Sequence, residues 1–187
     1  YLWWRNWKTP EDWRYAEMRA DWGPRAQVKM FWFYQFQNLF TLALACSAFM
    51  PAAYREGAPG MPALLLSVLI WGVAVGGEAL ADAQLKAFKA RPGSRHQVCD
   101  EGLWRYSRHP NYFFECLHWV AYLPLAWGSP LWFWSLAAPL VMFAVANWAF
   151  IPYEEEKMRR QFGETFDAYT ARVRRWHSAA ARASAAG

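Results

Sequence analysis

The sequence predicts an all-α, polytopic integral membrane protein: a helical bundle of about four transmembrane helices followed by a polar C-terminal helix. Three observations carry that expectation. Long apolar runs are free of charge, the basic residues fall almost entirely between those runs, and the chain holds 14 Trp, 13 Phe and 9 Tyr among its 187 residues. Aromatic rings at this density suit helices that end at lipid headgroups, where an amphipathic ring has both an apolar and a wet neighbour. The length fits a single domain over residues 1–187.

The first run, Met30 to Met50, contains no charged residue, and neither does the second, Met61 to Gly77, whose helix can continue through Glu78 and Ala79. A hydrocarbon core of about 30 Å needs roughly 17–25 helical residues, so spans are expected over 30–50 and 61–79. The third uncharged run, Cys116 to Tyr153, is too long for one crossing. Gly128-Ser129-Pro130 supplies a break, because Gly opens unusual dihedrals and Pro starts a helix well. Spans over 111–127 and 131–153 follow, which puts Glu115 and His118 at or near membrane depth.

Charge orders these spans. Residues 1–29 carry six Lys+Arg, residues 78–115 another six and residues 154–187 seven, whereas the 51–60 loop carries only Arg55. Four crossings put the three basic segments, including both termini and the 78–110 loop, on one side. The positive-inside rule makes that side cytoplasmic. A soluble domain with an apolar core would not produce this alternation. The net charge of +5 is explained by anionic headgroups and calls for no nucleic acid. Cys46, Cys99 and Cys116 lack paired metal spacing, as do His96, His109 and His118, so neither a metal nor a disulfide is expected. A polar aromatic stretch beginning at Tyr1 without Met raises the expectation of one or more helices upstream. The Ala/Ser-rich tail from His177 to Gly187 is expected to fray.

Polar groups at membrane depth are costly and by default point to function. Glu78 and Asp82 lie one turn apart at the end of the second span. Asn111, Glu115 and His118 share one face of the third. Glu154, Glu155 and Glu156 follow the fourth. Arg105, Arg108 and His109 lie between, so a bundle would gather cationic donors and carboxylate acceptors at one end. That pocket suits an amphoteric or phosphorylated cofactor, and its open side would admit a lipid tail. Blander readings stand beside these. The three glutamates could be the acidic first turn of a helix running through Phe162 to Val173. Asp82 with Lys86 could be an i,i+4 pair, and Lys86, Lys89, Arg91 and Arg95 a headgroup-facing stretch. A carboxylate and an imidazole inside an apolar helix need partners; for Glu115, Arg105, Arg108 and His118 are candidates.

The stretch Gly102-Leu-Trp-Arg-Tyr-Ser-Arg-His-Pro-Asn-Tyr112 and onward to Glu115 resembles a large membrane family related to the C-terminal half of steroid 5α-reductases. The resemblance extends to Leu80-Ala-Asp-Ala-Gln-Leu85, Phe88-Lys89, Pro10-Glu-Asp-Trp-Arg-Tyr15, Met18-Arg19 and Trp22-Gly23. It implies that Asp82, Asn111 and Glu115 contact NADPH. It also implies that the Glu and Tyr that polarise the substrate ketone lie at or before the start of this chain, so no catalytic residue is assigned. Arg108-His109-Pro110-x-Tyr112, with Glu154-Glu155-Glu156 and Phe162-Gly163-x-x-Phe166-x-x-Tyr169, resembles isoprenylcysteine carboxyl methyltransferases and phospholipid N-methyltransferases. That resemblance implies that His109, Tyr112, Glu154 and Glu155 embrace S-adenosylmethionine. The expected activity is NADPH-dependent reduction of a double bond in a lipid or steroid-like substrate. Methyl transfer to a lipid or lipidated cysteine is the second class. The third is a non-catalytic subunit of a larger membrane assembly.

Overall fold

A computed structural model describes residues 13–176, all of whose regular elements are helical. The expected fraying tail and the Pro10-Glu-Asp segment lie outside the described residues. Two compact units divide the chain, one ending at Ala43 and the other beginning at Leu44.

α1 (Trp13–Trp22) is followed by a single 3₁₀ turn, Gly23–Arg25, and then by α2 (Ala26–Ala53), whose residues through Ala43 belong to the first unit and the rest to the second. Gly23 takes φ +50°, which ends α1, and Pro24 prevents its continuation. Tyr15 and Trp22 of α1 pack edge-on or tilted against Phe33 and Tyr34 at the start of α2, with centroids 6.0–6.4 Å apart.

The second unit is built around α3 (Met61–Lys89). At 29 residues it is about 43 Å long, and it runs well past the expected end at Ala79. The reason is local: Ala79 to Ala90 contains good helix formers and no Gly or Pro before Pro92. Asp82, Lys86 and Lys89 are therefore helical, and the two lysines complement the C-terminal dipole. Helix α4 (Pro110–Val120) opens on its own proline and ends early, and the short α5 (Leu123–Ala126) follows after Ala121 and Tyr122. Pro124 has no N–H to offer the carbonyl one turn back and its ring crowds that carbonyl, so the expected 111–127 span is a broken helix. At the break the Ala121 carbonyl accepts a hydrogen bond from Ser67 Oγ at 2.5 Å, a donor that replaces the one a broken helix lacks.

Gly128 turns the chain at φ +87°, where the sequence places the break. A 3₁₀ segment (Trp132–Leu136), α6 (Ala137–Val145), a π-helical turn (Ala146–Phe150) and α7 (Ile151–Phe162) then run on without interruption. The π turn immediately precedes Pro152, and such adjustments re-satisfy carbonyls that a proline leaves free. Two expectations are corrected here. Glu154, Glu155 and Glu156 lie within this long helix rather than at its N-terminus, so the helix-dipole explanation does not apply to them. The helix does not run to Val173 either, because Gly163 at φ +52° ends it and α8 (Glu164–Arg172) starts afresh.

Three helices among the described residues, Tyr15–Ala53, Met61–Lys89 and Trp132–Phe162, are long and apolar enough to cross a membrane. Their large side chains point outward: Phe36, Leu39, Leu65, Leu69, Leu140 and Trp148 are exposed. In water that would be an aggregation hazard; in lipid it is the solvent-facing surface. Beyond the apolar stretch two small cores form. Ala81, Phe88, Cys99 and Trp104 make one, and Val98, Phe166, Tyr169 and Val173 the other.

Candidate functional site

The loop between α3 and α4 is fixed before it delivers its polar residues. Trp104 donates from Nε1 to the Ala81 carbonyl at 3.0 Å, and Gln84 Oε1 accepts from the Leu103 amide at 2.8 Å. Gly102, at φ +59°, presses its Cα on the Gln84 side chain, where a Cβ would collide. From α8, Tyr169 donates to the Trp104 carbonyl at 2.6 Å. Burial holds its phenol well above the ordinary range, so it remains a neutral donor. Burial also pushes the Cys99 thiol up, leaving it a small apolar filler of the first core.

Two polar clusters result. The first is centred on Glu155, which is 6% exposed, and His109, which is 3% exposed. Arg108 Nε and Nη2 both donate to Glu155 Oε1 at 2.9 Å. His109 Nε2 lies 3.3 Å from the same oxygen, and Arg175 reaches Glu155 Oε2 from Nη2 at 2.8 Å. Arg108 also donates to the carbonyls of Thr170 and Val173. Ser107 Oγ donates to the Arg175 carbonyl at 2.6 Å and accepts from the His109 amide. The result is a clamp that ties the segment after α8 onto the start of α4. At its edge Tyr112 donates to Glu154 Oε1 at 2.9 Å, with His109 Nδ1 at 3.8 Å from the other oxygen.

The second cluster lies between α3 and α4, which run antiparallel. The Glu78 and Glu115 carboxyl groups meet across the interface, and Asp82 is close enough to act on Glu78. Asp82, one turn beyond Glu78 on α3, is exposed. The Asn111 Oδ1 atom is buried with no hydrogen-bond partner. Among the described residues no basic side chain pairs with Glu78, Asp82 or Glu115, and Asp82 makes no ion pair with Lys86. The expected partners of Glu115 are engaged elsewhere: Arg108 with Glu155, and His118 with Tyr122.

Of the residues singled out in the sequence, Arg108, His109, Tyr112, Glu154 and Glu155 thus come together in one cluster; Glu115 meets Glu78 in the other, with Asn111 one turn before Glu115 and Asp82 one turn beyond Glu78. Arg105 is exposed, as are Lys86, Lys89 and Arg95; Arg91 pairs with Glu101 at 2.6 Å. Sequence reasoning missed Arg175, which carries no motif signal. It also missed the burial of Ser107. The apolar side of α4 has its own feature. Phe113, Cys116, Leu117 and Val120 line a cleft of about 310 Å³ with Pro139, Leu140 and Phe143 of α6 and with Trp176.

Long apolar helices that carry buried, paired charge define the class of this chain as an all-α integral membrane protein. Residues 1–173 match the family described as "Protein of unknown function (DUF1295)", and the chain belongs to that family. No curated protein and no solved structure matches it.

Proposed function

We propose that this chain serves a membrane-embedded oxidoreductase of the steroid 5α-reductase-like type, reducing a double bond in a lipid or steroid-like substrate with NADPH. The observation that carries this reading is the acceptor set between α3 and α4. A buried amide oxygen on Asn111 lacks a donor, and one turn on in α4 Glu115 meets the Glu78 carboxyl, with Asp82 near Glu78 and no cation paired with any of them among the described residues. Such a set calls for a ligand rich in N–H and O–H donors. A nicotinamide carboxamide and ribose hydroxyls meet that need, while the exposed Lys86, Lys89, Arg95 and Arg105 suit the phosphates. When bound, NADPH would supply the hydride. Asn111 and Glu115 would orient the carboxamide, and the apolar helix surfaces would exclude water. The resemblance of Gly102–Glu115 to the reductases supports the same assignment.

A second reading, S-adenosylmethionine-dependent methyl transfer, is favoured by the Tyr112–Glu154 hydrogen bond with His109 behind it. Titration calorimetry on the detergent-solubilised chain separates the readings. NADPH should bind, and Asn111→Ala should weaken it about tenfold, with no heat from S-adenosylmethionine. The opposite pattern exchanges the two readings, and a chain inert to both fits a non-catalytic subunit. The proposed orientation puts the 78–110 loop on the cytoplasmic side. In a Cys46→Ser background, single cysteines at Ala58 and Arg105 should label from opposite faces of sealed vesicles. Labelling from one face would remove the α3 crossing.

A further inference from the structure

The polar stripe of α4 does not end at Glu115. Asn111, Glu115, His118 and Tyr122 are spaced i, i+4, i+7 and i+11, which keeps them on one face of a helical path. At its deep end three rings close on one another. His118 and Trp119 have centroids 5.7 Å apart, His118 and Tyr122 also 5.7 Å, and Trp119 and Tyr122 6.0 Å. The Tyr122 hydroxyl lies 3.3 Å from His118 Nε2, and Phe49 packs edge-on against Tyr122 at 4.8 Å.

Within this cluster the Trp119 Nε1 atom is buried and has no hydrogen-bond partner. An indole N–H can only donate, and a buried donor without an acceptor is a cost that native structures rarely leave standing. The nearby carbonyls are already engaged. That of His118 accepts from the Ala121 amide, that of Trp119 from the Tyr122 amide and that of Tyr122 from the Ala126 amide, while Ala121 accepts from Ser67.

The geometry points to a binding site, at the break between α4 and α5, for the carbonyl oxygen of an otherwise apolar molecule. Trp119 donates to that oxygen, and the neighbouring Tyr122 hydroxyl is a second donor in the tautomer in which His118 Nε2 carries the proton and donates to it. Aromatic faces and the surrounding hydrocarbon receive the rest of the ligand. As the substrate-recognition end of the enzyme, this site rests on the reductase reading; as a carbonyl-binding site, it can be tested without cofactor.

The test uses infrared spectroscopy of a long-chain ketone carrying a ¹³C-labelled carbonyl. The full chain is reconstituted in nanodiscs of ether lipids, which have no ester carbonyls to interfere. The expected result is a saturable carbonyl band at lower frequency than in protein-free discs, lost in Trp119→Phe, weakened in Tyr122→Phe and unchanged in Arg160→Gln, an exposed position outside both polar clusters. The ketone should also be retained about tenfold better than the alkane of equal length. A band at the protein-free frequency, the same shifted band in Trp119→Phe, or equal retention of alkane and ketone would overturn the proposal. Thermal unfolding of each variant shows that the fold is kept, since Phe preserves both ring contacts. Failure of NADPH to bind would remove the reductase reading and leave this carbonyl band in place.

Discussion

Glu155 and Glu115 are both carboxylates carried on helices with apolar surroundings, and their environments are opposite. Glu155 receives Arg108, His109 and Arg175, so both its oxygens are saturated by the chain itself. Glu115 meets another carboxyl, Glu78, beside an Asn111 whose amide oxygen has no donor. A buried charge with all its partners in the chain is a clamp, and here it holds the segment after α8 against the α4 N-terminus. At Glu115 the partner is a second carboxyl, and the Asn111 oxygen one turn away has no donor among the described residues.

The largest effect that could break this contrast is at Glu155. Glu155→Gln leaves Arg108 and Arg175 without their counter-charge, and removing one partner from a buried pair costs about 3–5 kcal/mol. Thermal unfolding in detergent should drop accordingly whether or not a cofactor is present, and a wild-type midpoint would deny the clamp. Glu115→Gln should do the reverse. Its stability should stay near wild type, because no cation loses a partner. Its NADPH affinity should fall roughly ten- to hundredfold, as expected for one charge-assisted bond. Calorimetry that returns equal affinities would remove Glu115 from the site.

Ser67→Ala sharpens the contrast at smaller scale. It strips the Ala121 carbonyl of its side-chain donor at the helix break and should cost about 1 kcal/mol, read from the unfolding midpoint. The smallest effect is a pH dependence. Burial raises the Tyr169 phenol in the folded chain. Its contribution is therefore complete below the unfolded value of about 10 and lost as pH rises past it. Wild type should lose stability above about pH 10, and Tyr169→Phe should show a flatter profile over the same range.

Part of the site could be read along the chain. The i, i+4, i+7 spacing of Asn111, Glu115 and His118 places them on one helical face by periodicity alone. The same spacing, carried to Tyr122, marks the deeper cluster, although Pro124 hides that continuation by breaking the helix. The pairing could not be read. Arg108 is closer in sequence to Glu115, yet it bonds to Glu155, 47 residues away. The Gly163 break and α8 bring the chain back over the α4 N-terminus and set that choice.

What the sequence alone determined is the membrane class and the positions of the apolar segments. Lipid imposes uncharged runs of fixed length, and Gly128-Ser129-Pro130 and Pro110 act through their own dihedrals. Only the tertiary structure decided which carboxylate is neutralised by cations of the chain and which meets a second carboxyl. A charge can be satisfied by any opposite charge within reach, and reach is a property of the packed helices rather than of spacing along the chain.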